Sequence, residues 1–351
     1  MRQLVTIQKI HSIEPIEGRD RIVQAKVLGY TVIVGKDQFQ ENEFVCFAEI
    51  DSVFPDNGHW EELRNFKFRI KQFKVNSNNG PIYGQGYVFK LDKLAGLVDW
   101  DKENHEFYEG QEITEELGVT KYEPPIDYSS GDSKGTFPTK YLSQTDETRL
   151  QSKPNLIDEL YENPYYITMK MDGSSSTFLI APDEKEFLVC SRNQIKRNPV
   201  ESGKPCVFWK IAEQYNLYEV LQKFPTIAIQ GEICGEKIQG NRLGIKGHKL
   251  YIFNLINLDN RKCLGYYDMV RTINQMKKIS PNIEMVPIVE VSEFFDYNVP
   301  QLIEKSKMFY PNGREAEGIV VRPMEWMYSN TLKGGLSFKV INPEFLANGG
   351  E

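Results

Sequence analysis

Residues 168–175 read Thr-Met-Lys-Met-Asp-Gly-Ser-Ser, and our interpretation of the rest of the chain starts from them. The apolar residues 165–167 predict a strand, the Asp-Gly pair predicts a turn, and residues 177–180 predict a second strand. Lys170 therefore lies at the mouth of a hairpin, two residues from the carboxylate of Asp172. Such a lysine can act as a nucleophile if burial or a neighbouring cation lowers its pKa. A surface turn with a solvated lysine is the alternative, because short motifs of this kind are common.

The chain has 351 residues, which is long enough for two domains that each bury a core. A charged fraction of 26% and an aromatic fraction of 12% are typical of a globular protein. The net charge of -7 argues against a basic protein that coats nucleic acid, although it does not exclude a local basic groove.

The cysteines are scattered and show none of the paired spacing of a metal site, so we expect free thiols in a reducing compartment. No apolar run is long enough to span a membrane, and no secretory segment is recognisable. We therefore expect an intracellular protein, cytoplasmic or nuclear, without a membrane partner. The cysteines are Cys46, Cys190, Cys206, Cys234 and Cys263.

Residues 1–122 contain several short β-like segments separated by turn signals, and these predict a small barrel. Between residues 64 and 74, five cations alternate with three phenylalanines. A basic and aromatic face of this kind suits a nucleic-acid backbone. A solvated strand face above core aromatics is the alternative. Residues 123–140 hold three prolines and two glycines without alternation, and we interpret them as a linker.

Residues 141–351 form a mixed domain of mostly antiparallel strands with interspersed helices, one of them over residues 208–221. Four predicted strands each carry a charged side chain among apolar neighbours: Lys170, Glu232, Glu317 and Lys339. A buried charge without a partner is costly, so such residues are usually paired or bind ions. With Asp172 they predict a site for phosphate and for Mg²⁺ or Mn²⁺, which favour oxygen ligands. A solvent-facing position at a strand end is the alternative for each glutamate taken alone.

Six motifs in the correct order make residues 145–345 resemble the nucleotidyltransferase domain of ATP-dependent RNA ligases, DNA ligases and mRNA capping enzymes. Residues 239–241 (Gln-Gly-Asn) and the Thr-Asp-Glu-x-Arg-x-Gln string at 145–151 are typical of the RNA ligase branch. With the upstream barrel, the chain is most similar to the fifth RNA ligase family. The motifs are Lys170-Met171-Asp172-Gly173, Ser191-Arg192-Asn193, Gly231-Glu232-Ile233-Cys234-Gly235, Tyr251-Ile252-Phe253, Glu317-Gly318-Ile319-Val320-Val321-Arg322 and Ser337-Phe338-Lys339.

The resemblance implies an α+β protein. An N-terminal OB-like β-barrel would precede a nucleotidyltransferase (ATP-grasp-like ligase) domain of antiparallel sheets with flanking helices. It also implies a ligase that seals 3′-OH and 5′-phosphate RNA ends, nicks in duplexes above all. The cofactors would be ATP and Mg²⁺ or Mn²⁺, and we expect a monomer.

The resemblance further implies a role for each site residue. Lys170, Asp172 and Lys339 would be catalytic, with Lys170 forming lysyl-AMP and Lys339 contacting the α-phosphate. Asp172, Glu232 and Glu317 would hold the metal, and the two glutamates would also line the nucleotide site. The remaining nucleotide contacts would come from Thr168 and Met169 through their backbones, Arg149 and Arg192 on ribose or phosphate, and Phe253 stacked on adenine. Taken alone, Phe253 is better explained as a core aromatic.

One departure concerns the final motif, in which the family usually carries two lysines two positions apart. Here Lys339 takes the first place and Ile341 the second, or Ser337 the first and Lys339 the second. One cation is missing either way, unless Lys333 or a metal compensates. Two alternatives follow: a non-catalytic or impaired RNA-binding relative, and a DNA ligase or capping-type enzyme. The upstream barrel and the Gln-Gly-Asn string argue against the second.

Overall fold

The computed structural model describes residues 3–98, 106–122 and 131–348. The chain divides into two compact units, one mainly of residues 1–125 and the other of residues 126–150 and 155–345. Within the described residues, no helix is long and apolar enough to cross a membrane.

The N-terminal unit consists of short antiparallel strands. Three strands form the sheet β1-β5-β9 and three form β2-β3-β4, while β7 pairs with β8 and β10 with β6. Two apolar clusters fill the unit, one around the buried Trp60 and one around Tyr30 and Phe47. Its strands are β1 (Val5–Lys9), β2 (Ser12–Ile16), β3 (Arg19–Val27), β4 (Tyr30–Gly35), β5 (Phe44–Ala48), β6 (Ser52–Val53), β7 (Phe73–Ser77), β8 (Gly80–Gly84), β9 (Tyr87–Lys90) and β10 (Thr120–Lys121).

The second unit contains an eight-stranded sheet, in the order β11-β16-β15-β14-β17-β18-β19 with β20 beside β18, and a five-stranded sheet, β12-β25-β22-β13-β21. Its strands are β11 (Ser133–Thr136), β12 (Thr148–Arg149), β13 (Tyr165–Lys170), β14 (Ser174–Ile180), β15 (Phe187–Ser191), β16 (Gln194–Lys196), β17 (Ile227–Gly235), β18 (His248–Asn257), β19 (Lys262–Cys263), β20 (Glu284–Met285), β21 (Ile288–Ser292), β22 (Gly318–Pro323), β23 (Tyr328–Ser329), β24 (Gly334–Gly335) and β25 (Phe338–Ile341).

Helices cover both sheets and supply the apolar faces that close the two cores. The third, fourth and fifth helices pack on the eight-stranded sheet, and the first and sixth pack on the five-stranded sheet. This is the predicted α+β class. The helices are α1 (Leu156–Leu160), α2 (Pro199–Ser202), α3 (Val207–Gln214), α4 (Leu217–Lys223), α5 (Tyr266–Met276), α6 (Val299–Ser306) and α7 (Pro343–Ala347); short 3₁₀ turns cover Gly58–Phe66, Leu91–Leu94, Leu150–Ser152 and Gln239–Asn241.

Two local predictions need correction. The helical period over residues 208–221 belongs to two helices, because Asn216 takes a left-handed conformation (φ 47°) that asparagine tolerates and that breaks the run between α3 and α4. Residues 133–136, within the segment interpreted as linker, form β11 on the edge of the eight-stranded sheet. This strand is short and its register shifts at a bulge, so it leaves no alternation in the sequence. Residues 123–130 of that segment lie outside the described residues.

Candidate active site

Strand β13 delivers Lys170 to the end of the five-stranded sheet. Lys170 pairs with Gly318 in the last rung between β13 and β22, and Glu317 directly precedes that glycine. The Lys170 Nζ lies 2.6 Å from Glu317 Oε1, with the two side chains only 23% and 11% exposed. Burial favours the neutral amine, but the carboxylates of Glu317 and Glu232 outweigh it and raise the pKa of Lys170 above its ordinary value.

Gly173 lets the turn after Lys170 pass close to strand β17 of the eight-stranded sheet. A Cβ atom at this position would stand 2.5 Å from the Ile233 carbonyl oxygen and 2.8 Å from the Cys234 Sγ. Only glycine fits such a backbone approach without displacement. The Lys-x-Asp-Gly spacing therefore fixes Asp172 in the turn that joins the two sheets.

Asp172 is 8% exposed, and its Oδ2 lies 3.7 Å from the Arg242 Nε. Arg242 in turn lies over the Phe345 ring, with its guanidinium carbon 4.6 Å from the ring centroid. The stacked guanidinium thus gives the Asp172 carboxylate a cationic neighbour.

Glu232 adds the third carboxylate, from β17 of the eight-stranded sheet, where it pairs with Ser175 of β14. Burial raises the pKa of Glu232 to about 8, with Glu317 and Asp172 contributing and Lys170 opposing. Three carboxylates thus interact electrostatically with one lysine.

These carboxylates are not arranged as a cage of direct metal ligands. Among the described residues, no group of three His, Cys, Asp or Glu side chains is close enough to hold a bare metal ion. Two of the carboxylates form ion pairs instead. Glu317 pairs with Lys170, and Asp172 pairs with Arg242. The set of oxygen donors fits Mg²⁺ or Mn²⁺ that keeps most of its water shell, since such ions commonly bind through one or two carboxylates and several waters.

A second group of cations lies beside the lysine. Lys339 on β25 pairs in parallel register with Arg149 on β12. The Asp146 carboxylate lies 3.6 Å from the Lys339 Nζ and 3.3 Å from the Arg192 Nη2. Burial, together with the charge of Lys170, lowers the pKa of Lys339 to about 7. Three cations thus converge on or near one carboxylate. An anionic phosphate chain can take the place of that carboxylate.

Ile341, which takes the second motif position if Lys339 takes the first, pairs with Gly318 and is 4% exposed. Lys170 pairs with the same glycine from the other side, so Ile341, Gly318 and Lys170 form one row across the sheet. An apolar side chain thus lies in the same row as the lysine, two strands away. Lys333 lies exposed in the turn between β23 and β24.

The residues predicted to contact adenine lie on both sheets. Thr168 is buried in β13, and the Met169 amide donates to the Pro287 carbonyl at 2.9 Å. That amide is therefore already hydrogen-bonded within the protein. Phe253, on β18, packs half-buried against the apolar cluster around Met171.

A cavity of about 230 Å³ lies within the second unit, between the two sheets. Asp146 and Ser337 line it near Lys339, and the buried Gln230 and Asn254 line its wall on the eight-stranded sheet, where the Asn254 Nδ2 donates to the Gln230 Oε1 at 3.1 Å. Arg322 lines the opposite wall and is paired with Glu147 at 2.7 Å. The cavity therefore lies beside the ion pair of Asp146 and Lys339.

A model of the RNA ligase family matches residues 163–341, and a model of an OB-fold domain matches residues 4–79. The chain belongs to the RNA ligase family. The RNA ligase match spans the strands that deliver Lys170, Glu232, Glu317 and Lys339. The OB-fold match covers most of the N-terminal strands, which confirms the predicted order of an OB-fold domain before a ligase domain.

Solved structures of a Naegleria gruberi RNA ligase resemble this RNA ligase family member over nearly its whole length. A Lys-to-Met variant with AMP and Mn has a TM-score of 0.83 at 28% identity, covering 99% of each chain. A Lys-to-Ala variant with ATP and Mn has a TM-score of 0.82 at 28% identity and covers 98% of each chain, and the protein with PPi gives 0.82 at 28% over 99% of each. No curated protein sequence matches the chain.

Sequence reasoning missed three contributors to the ligase site. Arg242 follows the Gln-Gly-Asn string but had no assigned role, and Asp146 lies in the upstream string without having been recognised as the partner of Lys339. Tyr310 had no sequence signal at all. Its hydroxyl lies 2.9 Å from the Asp172 amide and 3.3 Å from the Glu317 amide. A contact of this kind depends on the tertiary fold and leaves no local pattern.

Proposed function

We propose that the protein is an ATP-dependent RNA ligase that joins 3′-OH and 5′-phosphate ends through lysyl-AMP and RNA-adenylate intermediates. The observation that carries this proposal is the position of Lys170. The lysine is largely buried at a strand end, 2.6 Å from Glu317, and lies near two further carboxylates and Lys339. A surface lysine would not have this environment.

Lys170 is the proposed nucleophile. Its Nζ attacks the α-phosphorus of ATP, a P–N bond forms, the bond from that phosphorus to the bridging oxygen breaks, and pyrophosphate leaves. The reaction requires the neutral amine, whereas Glu317 stabilises the ammonium form in the absence of substrate. Lys170 must therefore lose a proton before attack, and Glu317, 2.6 Å away, is the group placed to accept it.

Asp172, Glu232 and Glu317 are the proposed holders of a hydrated Mg²⁺ or Mn²⁺. Such a cation supplies positive charge that favours the neutral amine and offsets charge on the phosphate oxygens. The Naegleria gruberi RNA ligase variants were solved with AMP and Mn and with ATP and Mn, which supports the same cofactors here.

Lys339, Arg149 and Arg192 are the proposed contacts of the ribose and phosphates. In the ligand-free protein, Asp146 neutralises two of them, Lys339 and Arg192. An incoming triphosphate can take over these cations because guanidinium and ammonium groups bind phosphate oxygens at least as well as carboxylates. The carbonyls of Thr168 and Met169 are the proposed readers of the adenine edge, and Phe253 its stacking partner.

The second and third steps transfer the adenylate to RNA. A 5′-phosphate oxygen attacks the phosphorus of lysyl-AMP and releases the Lys170 amine. A 3′-hydroxyl then attacks the RNA 5′-phosphorus, and AMP leaves. Lys339 and the proposed metal site stabilise the charge that builds on phosphate oxygens in both steps.

We propose that the N-terminal domain, residues 1–122, binds the duplex beside a nick. Residues 141–351 would catalyse the ligation steps. Within the basic stretch, Phe66 and Phe73 are 57% and 42% exposed, and their neighbours Lys67, Lys71 and Lys74 are exposed too. Two of the five cations are committed elsewhere, since Arg64 pairs with Glu61 and Arg69 with Asp51. Exposed aromatics between lysines suit base and backbone contacts.

Sealing of a nicked duplex tests this proposal. The substrate carries a labelled 5′-phosphate at the nick, and the 3′-OH strand is RNA in one sample and DNA in the other. We expect Lys170-dependent joining with ATP and Mn²⁺ or Mg²⁺, and faster joining of the RNA strand. Joining only of DNA ends, or only with GTP, would contradict the proposal.

A second candidate function is RNA binding without sealing. Ile341 favours it, because this buried side chain occupies a position where the family usually carries a cation. Retained binding of a nicked duplex with no lysyl-AMP formed would support this candidate, and multiple-turnover sealing would remove it.

A further inference from the structure

Tyr310 lies between the two strand ends that carry the reactive groups. Its side chain is 2% exposed and belongs to the apolar cluster with Met171, Cys234, Val286 and Ala316. The aromatic ring thus has a fixed place in the core, and its hydroxyl is the group that points toward the site.

The hydroxyl uses its full hydrogen-bonding capacity on the backbone. It accepts from the Asp172 amide at 2.9 Å and from the Glu317 amide at 3.3 Å, and it donates to the Lys170 carbonyl at 3.2 Å. One hydroxyl has one donor and two acceptor lone pairs, so all three are used. Burial raises the pKa of Tyr310, and the phenol therefore keeps its proton at neutral pH and remains a donor.

The position of these bonds matters because the β13–β22 ladder ends at the pair Lys170 and Gly318. Beyond that pair no rung between the two strands holds Asp172 and Glu317 in register. The Tyr310 hydroxyl continues the connection by one step, through main-chain atoms of both segments.

We propose that Tyr310 is a positioning residue for adenylyl transfer: its hydroxyl cross-links the backbones of Lys170, Asp172 and Glu317 and so sets the separation of the nucleophile from its carboxylates. This inference rests on the proposed function. It assigns the residue no contact with ATP, and its effect is on the geometry of the reacting groups. Displacements of about 1 Å at a reacting centre can lower a rate by about 100-fold.

The test variant is Tyr310→Phe, which keeps the ring in its core position and removes the hydroxyl. A matched control is Tyr215→Phe, since Tyr215 is 3% exposed and its hydroxyl accepts from the Leu250 amide at 3.1 Å. Both variants lose a buried hydroxyl bound to backbone, and only the first touches the proposed site.

Two readouts separate positioning from general stability. In ligand-free protein, hydrogen–deuterium exchange at the Asp172 and Glu317 amides should be slow in the wild type and at least about tenfold faster in Tyr310→Phe. In single-turnover reactions with labelled ATP, the rate of lysyl-AMP formation at saturating ATP should fall about tenfold or more, with less than a threefold change in the ATP concentration that gives half the maximal rate. Tyr215→Phe should leave both readouts unchanged even if its melting temperature falls.

Each other result has a defined meaning. Wild-type exchange of both amides at the rate of an exposed amide would overturn the inference without any variant. Equal lysyl-AMP formation by wild type and Tyr310→Phe would overturn it while leaving the proposed function intact. No label on the wild type would overturn the proposed function, and the inference with it.

Discussion

Lys170 and Glu317 form an ion pair at the end of the β13–β22 ladder, with 2.6 Å between Nζ and Oε1. A carboxylate this close holds the amine protonated in the absence of substrate and is available to accept its proton when ATP binds. The same pair thus accounts for the resting state of the lysine and for its activation.

Replacing Glu317 by glutamine should therefore abolish most adenylyl transfer. The amide keeps the size of the side chain but loses the charge that attracts the proton and a cation. We expect lysyl-AMP formation to fall about 100-fold, as for the loss of a single electrostatic contact in an active site. The control is Glu290→Gln, because Glu290 makes an ion pair of the same length, 2.6 Å, with Lys305. A similar loss in both variants would contradict a special role for Glu317.

Replacing Gly173 by alanine should disturb both stability and activity. The new Cβ would lie 2.5 Å from the Ile233 carbonyl oxygen, so the turn carrying Asp172 must move. We expect the free energy of unfolding to fall by about 1–3 kcal/mol, the usual cost of overpacking. Urea denaturation measures this. Gly135→Ala is the control, since a Cβ atom there meets nothing within 4 Å. Equal stability of the two variants would refute the close approach.

The lowered pKa of Lys339 predicts that nucleotide binding depends on pH. Its pKa of about 7 means that the amine is charged below that pH and becomes neutral above it. ATP affinity measured without divalent metal should therefore fall as pH rises from 7 to 8.5, by at most about tenfold for each pH unit. Lys339→Arg remains charged over this range and should show a shallower profile, whose remaining slope comes from Glu232 with its pKa of about 8. A flat wild-type profile would contradict the prediction.

The same shift has a consequence for stability. Because the folded-state pKa of Lys339 lies below the ordinary value of 10.5, the unfolded chain binds more protons between pH 7 and that value. The contribution of Lys339 to the free energy of unfolding therefore increases as pH rises through this window. Comparing the pH dependence of the wild type with that of Lys339→Met isolates this contribution.

Ile341→Lys tests the departure in the final motif. A lysine there would lie in the same row as Lys170 and Gly318 and would add a positive charge near the proposed site. We expect a lower melting temperature, because the site is 4% exposed, together with about a tenfold faster sealing step. Ile341→Met is the control for a change of shape without charge. If both substitutions slow sealing equally, the prediction that a cation at position 341 speeds sealing is contradicted.

Much of the site was predictable because strands deliver charged residues at recognisable positions. A lone charge within an apolar run, as at Glu232 and Lys339, predicts a partner, and the structure brings these residues into electrostatic contact with Lys170. The glycine of the Lys-x-Asp-Gly string has a physical reason in its close approach to β17.

The rest of the site depends on tertiary structure. Tyr310 reaches Asp172 across 138 positions of sequence, and nothing local distinguishes it from another core tyrosine. Arg242 is similar, since its contacts with Asp172 and with Phe345 of α7 join distant parts of the sequence. The break at Asn216 was missed for another reason: the apolar period continues across it, so pattern alone cannot separate two helices from one.

The most direct test of the central claim is covalent labelling with α-labelled ATP in the presence of Mn²⁺ or Mg²⁺. The wild type is compared with Lys170→Met and with Lys305→Met, because Lys305 is 25% exposed and Lys170 23% exposed, and each makes an ion pair of 2.6 Å. We predict acid-labile label on the denatured wild type and on Lys305→Met, and none on Lys170→Met. Label that persists on Lys170→Met, or no label on the wild type with either metal, would contradict the assignment of Lys170 as the nucleophile.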